Sequence, residues 1–349
     1  MKFYIKFLFI LLLPVGCNRN NIVYPETIEV TETVRLGRQV MNEDFIFSFP
    51  TDMFIEDSLI IVHDSYAQEQ CFHIFNKNTG RHIGDFGRKG RGPGEMLNVS
   101  SVYLQNENVV AFDANLKKIV IYDIVNVLSG KADAYKELSL PVTENFIISA
   151  IPMDKNSFIL VGNNDKMRFG VWNHKTSSIS KVNSLFPEQV SDKEIDWAIA
   201  NYASSFLYIP SKTIIVSATY IGGAMEIFDV SEEKINRSHI RYFYEPVYGT
   251  AIGAVPKWIA TKDDTTIGFQ KLCATGDGIY ALVWGTECRD MEHEHPFIVQ
   301  FDDAGNAQKR FDTDFILETL AVDSNGDMYG ITVGRSEDYK LCKFFGLYE

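Results

Sequence analysis

Two closely spaced histidines in a polar stretch near the C-terminal end are the most chemically suggestive residues of this chain. The stretch reads Cys288-Arg289-Asp290-Met291-Glu292-His293-Glu294-His295. In an extended backbone, alternate side chains point the same way, so His293 and His295 would share one side and could begin a site for zinc or another divalent metal. Two ligands do not complete such a site. The simpler interpretation is a solvated polar loop that needs no cofactor.

A glycine-rich segment with three basic side chains is a second candidate. It reads Phe86-Gly87-Arg88-Lys89-Gly90-Arg91-Gly92-Pro93-Gly94-Glu95. Arg88, Lys89 and Arg91 could donate hydrogen bonds to an acidic ligand. The segment is not a phosphate loop, because it lacks the Lys-Ser/Thr ending and the following helix. Alternatively, its glycines permit a tight crossing of the chain while Glu95 ties down backbone amides.

Nucleophilic catalysis has no support in the sequence. It contains neither a Gly-x-Ser-x-Gly elbow nor a His-Glu-x-x-His helix, and no cysteine stands in a recognisable reactive context. The remaining histidines are scattered over predicted strands and turns: His63, His73, His82, His174 and His239. A structural histidine is the commoner outcome at such positions.

A sixfold recurrence of an aromatic residue before Asn, Asp or Gly indicates the elements that must position these side chains. The pairs are Phe75-Asn76, Tyr122-Asp123, Trp172-Asn173, Phe228-Asp229, Phe301-Asp302 and Phe345-Gly346. Each ends a short β-rich run, and a continuous apolar run such as Leu59-Ile60-Ile61-Val62 precedes it. Repetition at this interval is typical of propeller blades, and runs that are apolar on both faces suit strands packed between neighbouring blades. The sequence therefore predicts an all-β, six-bladed β-propeller.

The ring needs a strand from the N-terminal side to close it. The predicted blades cover approximately residues 46–86, 97–140, 145–184, 203–245, 268–313 and 315–349, within a propeller spanning residues 27–349. Blade six has no sequence left for its fourth strand, so a period-2 segment at residues 27–36 is predicted to fill that place. Closure of this kind protects sheet edges from unwanted pairing.

Two connections are longer than a propeller needs. Between blades three and four, Ser191 and Glu194 stand at capping-box spacing before an apolar face that includes Tyr202, which predicts the one short helix of the chain. Between blades four and five lies an irregular segment containing Trp258. Because strands alternate in direction within a blade, these connections, the glycine-rich segment and the His293 loop are predicted to share one face of the ring.

The N-terminus has the pattern of a processed export signal. Lys2 and Lys6 precede an apolar run, and Pro14-Val15-Gly16-Cys17 follows it, which resembles a bacterial lipobox. We therefore expect a signal peptide at residues 1–16, a lipid on Cys17 and a tether at residues 17–26. An ordinary signal peptide or a short membrane anchor is the alternative.

The net charge of the mature chain limits the kinds of partner that it can bind. Removal of residues 1–16 takes away two lysines, so the net charge changes from -13 to about -15. An acidic chain is a poor match for nucleic acid, whose binding rests on Lys and Arg at phosphates.

The four later cysteines, Cys71, Cys273, Cys288 and Cys342, fall at positions that do not pair well across the predicted strands. Buried free thiols are therefore expected.

Together with the lipobox and the six repeats, the glycine-rich segment resembles the TolB-like and NHL-type six-bladed propellers, particularly the TolB-like propeller lipoproteins of Bacteroidetes. The resemblance covers essentially the whole mature chain. Because the sequence also lacks catalytic motifs, we expect a non-catalytic, monomeric envelope lipoprotein that binds a protein, peptide or glycan. Arg88, Lys89, Arg91, Tyr202 and Trp258 are the predicted contacts.

The resemblance also implies an enzymatic alternative. Some six-bladed relatives are lactonases or lyases that hold a metal in the central channel. A metal-dependent hydrolase, lactonase or lyase, with its metal in the channel or at His293 and His295, is therefore the rival hypothesis.

The absence of an acidic run after Cys17 favours an outer-membrane anchor facing the periplasm over one facing the cell surface.

Overall fold

The strands of the chain form six blades around a central channel, which confirms the predicted all-β propeller. The computed structural model describes residues 26–131, 134–141, 146–183, 186–187, 195–231, 234–246, 249–250, 259–334 and 338–347. The signal peptide, Cys17 and all of the tether except residue 26 lie outside these residues. Within the described residues, no helix is long and apolar enough to cross a membrane.

The strands follow one another around the ring in chain order, after an N-terminal strand β1 (Glu32–Asn42). Blade one contains β2 (Pro50–Glu56), β3 (Leu59–Asp64), β4 (Gln70–Asn76) and β5 (His82–Arg88). Blade two contains β6 (Val99–Gln105), β7 (Asn108–Asp113), β8 (Lys118–Asp123), the helix α1 (Ile124–Leu128) and β9 (Tyr135–Ser139). Blade three contains β10 (Ile147–Pro152), β11 (Ser157–Gly162), β12 (Phe169–Asn173) and β13 (Ser178–Asn183).

The second half of the ring begins with the helix α2 (Ile195–Asn201). Blade four contains β14 (Ser204–Ile209), β15 (Ile214–Thr219), β16 (Ala224–Val230) and β17 (Ile235–Tyr242), and a two-strand ladder of β18 (Gly249–Thr250) and β19 (Ile259–Ala260) follows it. Blade five contains β20 (Thr266–Thr275), β21 (Gly278–Glu287), a 3-10 turn at Cys288–Asp290, β22 (Phe297–Phe301) and β23 (Ala307–Asp312). Blade six contains β24 (Ile316–Val322), β25 (Met328–Val333) and β26 (Tyr339–Leu347).

The second strand of each blade is apolar on both faces because it packs against a neighbour on each side. In β3, Ile61 packs in one cluster with Val109 and Ala111 of blade two. The flanking residues Ile60 and Val62 pack in another cluster with residues of blade six. One short strand thereby joins three blades, and burial of its side chains stabilises the ring by about 25 cal/mol for each Å² of apolar surface removed from water.

The recurrent aromatic residue and the polar residue after it perform two separate tasks. Five of the six aromatics are buried, whereas Phe345 is half exposed beside the buried Phe344. The following Asn or Asp shapes the next turn: Asn76 Oδ1, for example, accepts the amides of Asn78 and Thr79, both at 3.0 Å. Side-chain oxygens that accept nearby amides in this way are typical of Asx turns.

The N-terminal strand closes the ring, but it lies further along the chain than the sequence suggested. β1 covers Glu32–Asn42 rather than residues 27–36. Its second half pairs antiparallel with β26 as the missing fourth strand of blade six, while Glu32 to Arg35 pair parallel with β23 of blade five. Residues 26–31 instead run along the outer edge of blades four and five, where the Glu26 amide donates to Tyr242 O at 2.7 Å. The period-2 pattern continues past residue 36, so pattern alone does not fix where pairing begins.

Helical structure differs from the prediction in one respect. A helix, α2, lies between blades three and four, although Ser191 and Glu194 fall outside the described residues. A second helix, α1, was not predicted; it follows β8, and Asp123 caps it by accepting the Asn126 amide at 2.9 Å. The same Asp that ends the aromatic pair therefore starts a helix here, because an Asx side chain can cap either a turn or a helix.

The glycine-rich segment is held by its own contacts. The Gly92 amide donates to Glu95 Oε2 at 2.9 Å, as expected for Glu95. Gly94 has φ +70° and lies against the ring of Tyr135, at 2.7 Å from an ideal Cβ. Its amide donates to Glu137 and its carbonyl accepts the Tyr122 hydroxyl at 2.7 Å. The crossing from blade one to blade two therefore depends on a residue without a side chain.

Replacement of Gly94 is expected to destabilise the fold more than the same replacement of a matched glycine, Gly130. Gly130 has the same left-handed backbone, φ +71°, but open space around it. Gly130→Ala should therefore cost only the backbone strain, about 1–2 kcal/mol. Gly94→Ala should cost about 1–3 kcal/mol more, because the new methyl group collides with Tyr135. Chemical denaturation of both variants measures the difference, and equal losses would show that the contact with Tyr135 is unimportant.

Candidate functional site

A cavity of about 520 Å³ lies at the end of the central channel where the first strand of each blade begins. All six blades contribute to it. The lining consists of Phe49, Thr51, Asp52, His63, Ser65, Val99, Ser100, Ser101, Val102, Tyr103, Ile148, Ser149, Ala203, Ser204, Ser205, Phe206, Tyr220, Gln270, Lys271 and Glu318. Its size falls in the range of small-ligand sites.

Irregular strand pairing directs several of these side chains into the cavity. Five of the six first strands carry a shift of register near their start; β14 of blade four does not. The residues skipped by these shifts and lining the cavity are Thr51, Ser100, Ile148, Gln270 and Glu318. A β-bulge leaves its extra residue out of the ladder and changes its direction. The same local device, repeated around the ring, therefore builds the cavity wall.

Hydroxyl groups dominate the polar lining. They come from six serines, Thr51, Tyr103 and Tyr220. Some are held by contacts within the wall: Tyr103 Oη lies 2.8 Å from Ser149 Oγ, and Ser101 Oγ accepts the Ala150 amide at 3.2 Å. A hydroxyl both donates and accepts hydrogen bonds, so this wall suits an uncharged polar ligand.

A charged network occupies one side of the cavity. The Asp52 carboxylate pairs with the Lys271 ammonium of blade five and lies 3.2 Å from His63 Nδ1. Burial by itself raises the pKa of Asp52, but Lys271 and His63 outweigh it and hold the pKa well below its usual range. Asp52 therefore stays ionised and fixes Lys271 in place.

This network lacks the arrangement of a nucleophile relay. Thr51 Oγ1 lies 2.9 Å from His63 Nδ1, the same nitrogen that contacts Asp52. A relay needs the hydroxyl and the carboxylate on opposite ring nitrogens. His63 Nε2 is buried and has no hydrogen-bond partner among the described residues. His63 therefore acts as a fixed polar wall of the cavity.

Glu318 differs from every other charged group in the cavity. Its carboxylate makes no hydrogen bond or ion pair within the described part of the chain, and burial raises its pKa. It also stands at the register shift of β24. A carboxylate placed at a partly buried position without a partner costs stability, which is characteristic of residues kept for ligand contact.

Exposed aromatic side chains surround the same end of the ring. They are Tyr66 in the loop after β3, Phe146 before β10, Trp197 on α2 and Tyr220 after β15. Tyr66, 70% exposed, stacks on Phe49 with ring centroids 5.2 Å apart. By strand direction all four stand on the face where the first strands begin. Exposed aromatics grouped around a cavity indicate an interaction surface.

The predicted contact residues are placed differently from one another. Arg88 and Arg91 are exposed on this face, and Lys89 Nζ donates to the carbonyl of Ser65, a cavity residue, at 3.0 Å. Tyr202 is only 4% exposed and packs with Phe186 beneath α2, so it offers no surface to a ligand. Tyr202 directly follows α2, and its amide still donates to Ala198 O at 2.8 Å, so its ring packs with the apolar face of the helix and is buried. Trp258 lies outside the described residues.

The predicted metal pair does not form the expected arrangement. His293 and His295 are exposed, and the loop is not extended: a 3-10 turn precedes them, and the His293 amide donates to Asp290 O at 2.9 Å. Hydrogen bonds from Cys288 and Arg289 to residues 265 and 263 anchor this turn. Cys71, Cys273, Cys288 and Cys342 are free, as expected, but only Cys71 and Cys342 are buried, whereas Cys273 and Cys288 are partly exposed.

The described residues contain a different cluster with metal-binding side chains. It comprises His73 on β4 and His82 and Asp85 on β5, whose ligand atoms lie within 4.8 Å of one another. Burial lowers the pKa of His73, but the nearby carboxylates of Asp64 and Asp85 outweigh it and raise the pKa overall. Scattered histidines gave no signal in the sequence; the pairing of β4 with β5 brings them together.

Solved structures share this fold at low sequence identity. A protein of Bacteroides fragilis NCTC 9343 described as exported is 12% identical with a TM-score of 0.56, over 91% of this chain and 99% of that one. A member of the DUF4221 family from Bacteroides vulgatus ATCC 8482 is 11% identical with a TM-score of 0.57, over 92% and 100% of the two chains. No significant match was found among curated proteins.

A family model describes most of the chain. The model for TolB-like 6-blade propeller-like proteins matches residues 29–325, from just before the closing strand to the first hairpin of blade six. The match agrees with the six blades, the closing strand and the glycine-rich crossing described above. The protein therefore belongs to the TolB-like six-bladed propeller family.

Proposed function

We propose that this protein is a non-catalytic, lipid-anchored binding protein of the bacterial cell envelope that takes its ligand at the cavity end of the propeller channel. One observation carries the proposal: a hydroxyl-lined cavity of about 520 Å³ and a group of exposed aromatics lie on the same face. Concave sites with a few placed polar groups are the usual form of ligand sites. Lys89, Arg88 and Arg91 stand on that face as outer contacts.

A glycan fits this site better than a protein or a peptide. The hydroxyls of the wall match the donor and acceptor pattern of sugar hydroxyls. Exposed aromatic rings can pack on the apolar faces of sugar rings while their polar edges stay hydrated. Peptide ligands usually engage a groove or an open sheet edge, and the cavity is built from the inner strands of closed blades.

The metal-dependent enzyme receives less support than the binding protein. Within the described ranges, the channel contains no group of three His, Cys, Asp or Glu side chains whose ligand atoms converge. Asp52 is already paired with Lys271, and Glu318 stands apart. Lone carboxylates of this kind make poor transition-metal sites.

The lipobox-like sequence at Cys17 and the two Bacteroides neighbours support the envelope location. An acyl chain provides membrane attachment without a membrane-spanning helix. We place the protein on the outer membrane, facing the periplasm, as a monomer without nucleic-acid partners. The acidic chain agrees with the last point.

Substitution of an aromatic at the cavity should weaken ligand binding. A glycan array and a peptide library, screened in parallel with the detergent-purified mature chain, would identify the best binder. Tyr220→Ala should lower the affinity for that binder about tenfold, because tyrosines are prominent among the few residues that carry most of the binding energy at an interface. Isothermal titration measures the effect.

Val125→Ala is the matched control for this experiment. Val125 is also exposed, but it lies on α1 at the opposite end of the blades. The affinity of Val125→Ala for the best binder should equal that of the wild type. Equal losses in the two variants, or none in Tyr220→Ala, would place the ligand elsewhere; a peptide as best binder would refute the glycan assignment.

Glu318→Gln should stabilise the protein while weakening binding. The folded state raises the pKa of Glu318, so it favours the protonated form and loses stability as the carboxyl ionises. Gln mimics the protonated form. The gain should be greatest near neutral pH, where the carboxyl is ionised, and should vanish below the pKa of about 4.3 that Glu has in an unfolded chain. Denaturation at several pH values, paired with titration of the best binder, tests both effects. A destabilised variant would contradict this account.

Cys17→Ser should release the protein from the membrane. The expected lipid on Cys17 is the proposed attachment, so the variant should move from the detergent-soluble membrane fraction to the aqueous fraction. Cys288→Ser, a change in a loop of the propeller, serves as control and should stay with the membrane. Membrane retention of Cys17→Ser would exclude lipid anchoring at this residue.

A further inference from the structure

We propose that His73, His82 and Asp85 form a site for a single divalent transition-metal ion, best suited to Zn²⁺, in the outer half of blade one. The site is separate from the channel cavity. Its ligands lie on β4 and β5, the third and fourth strands of the blade, whereas the cavity is walled mainly by first strands. It is also separate from His293 and His295 in blade five.

Three potential ligand atoms lie close together in this cluster. His73 Nδ1 lies 2.6 Å and His82 Nε2 lies 2.7 Å from the same oxygen, Asp85 Oδ1. The three side chains belong to adjacent strands, and His73 faces Asp85 directly across the β4–β5 ladder. Both distances are those of hydrogen bonds to one carboxylate oxygen, and two imidazoles and a carboxylate whose ligand atoms lie within 4.8 Å of one another are the donor set of a three-ligand zinc site.

A buried carboxylate lies behind the His73 ring. Its other ring nitrogen, Nε2, lies 3.8 Å from Asp64 Oδ2. Asp64 is fully buried and fixed by the amides of Ser48 and Phe49 at 2.6 and 2.7 Å. Histidines that bind metal usually direct their second nitrogen at a carboxylate or carbonyl that orients the ring. At 3.8 Å the two atoms are too far apart for a hydrogen bond, but Asp64 lies on the side of the His73 ring where the outer partner of a metal ligand would stand.

One side of the three-residue cluster is open to solvent, and an aromatic ring packs against the other. The side chains of His82 and Asp85 are 31% and 34% exposed, so an ion can enter and keep a water as its fourth ligand. On the inner side, the ring of Phe45 packs against both imidazoles, with centroids 4.8 Å from His73 and 4.7 Å from His82. This contact restrains both rings.

The donor types select the class of metal. Imidazole nitrogens suit zinc, copper, nickel and iron, whereas calcium and magnesium prefer oxygen ligands throughout. Three protein ligands with an open position match zinc. The contrast with blade five is informative, since His293 and His295 are exposed and belong to no such three-residue cluster within the described ranges.

Titration with Zn²⁺ alone tests the proposal. The full mature chain, purified in detergent without a histidine tag, should bind one Zn²⁺ per chain by isothermal titration. His82→Ala and Asp85→Asn should each lower the affinity at least tenfold, because loss even of an outer-shell partner costs ~10–100-fold. The double variant His293→Ala/His295→Ala, which removes the exposed pair, should bind as the wild type does.

Co²⁺ provides a readout that is independent of folding. Bound Co²⁺ should show the visible absorption of four-coordinate nitrogen and oxygen ligation in the wild type and in the blade-five variant, and His82→Ala should lose it while its circular dichroism remains native. Three results would overturn the site: absence of Zn²⁺ binding by the wild type, unchanged binding by both His82→Ala and Asp85→Asn, or loss of binding in the blade-five variant.

Discussion

The pairing of β1 with two blades is the interaction on which the rest of the structure depends. The strand runs antiparallel to β26 and, at its start, parallel to β23, so blades five and six share one continuous sheet. Gly37 makes room for the Phe345 ring, which an ideal Cβ at that position would approach to 2.6 Å. Without β1, both β23 and β26 would present unpaired backbone groups. Closure also holds β24 beside β2, which completes the wall of the channel.

Within the closed ring, the functional chemistry sits where the sheets are least regular. The register shifts of the first strands release side chains such as Thr51 and Glu318 from the ladder and direct them to the cavity. Deeper in the blades, the side chains of the apolar second strands instead pack against neighbouring blades on both sides. A rigid scaffold can therefore tolerate an uncompensated carboxylate at Glu318, because its destabilising effect is small beside the packing of six blades.

The fold could be predicted from local chemistry, but the site could not. An aromatic followed by Asn or Asp signals a buried strand end and a turn at once, and both act over a few residues, as at Asn76. A β-bulge depends instead on how two strands align, so the residue types of Thr51 and Glu318 did not predict that they would line the cavity. The burial of Tyr202 and the convergence of His73 with Asp85 likewise depend on packing between elements. The start of β1 was misplaced for the same reason, since its pairing partners lie at the other end of the chain.

Hydrogen exchange of the full mature chain, with and without the best-binding glycan, tests the location of the site most directly. Amides at the bulged strand starts lack regular ladder partners, so a ligand that covers them should slow their exchange. We expect protection at residues 49–52, 99–103 and 147–149, with no change in the turns at residues 106–108 and 154–156 at the other end of the channel. Protection confined to those turns, or to the outer strands, would contradict a ligand site at the cavity.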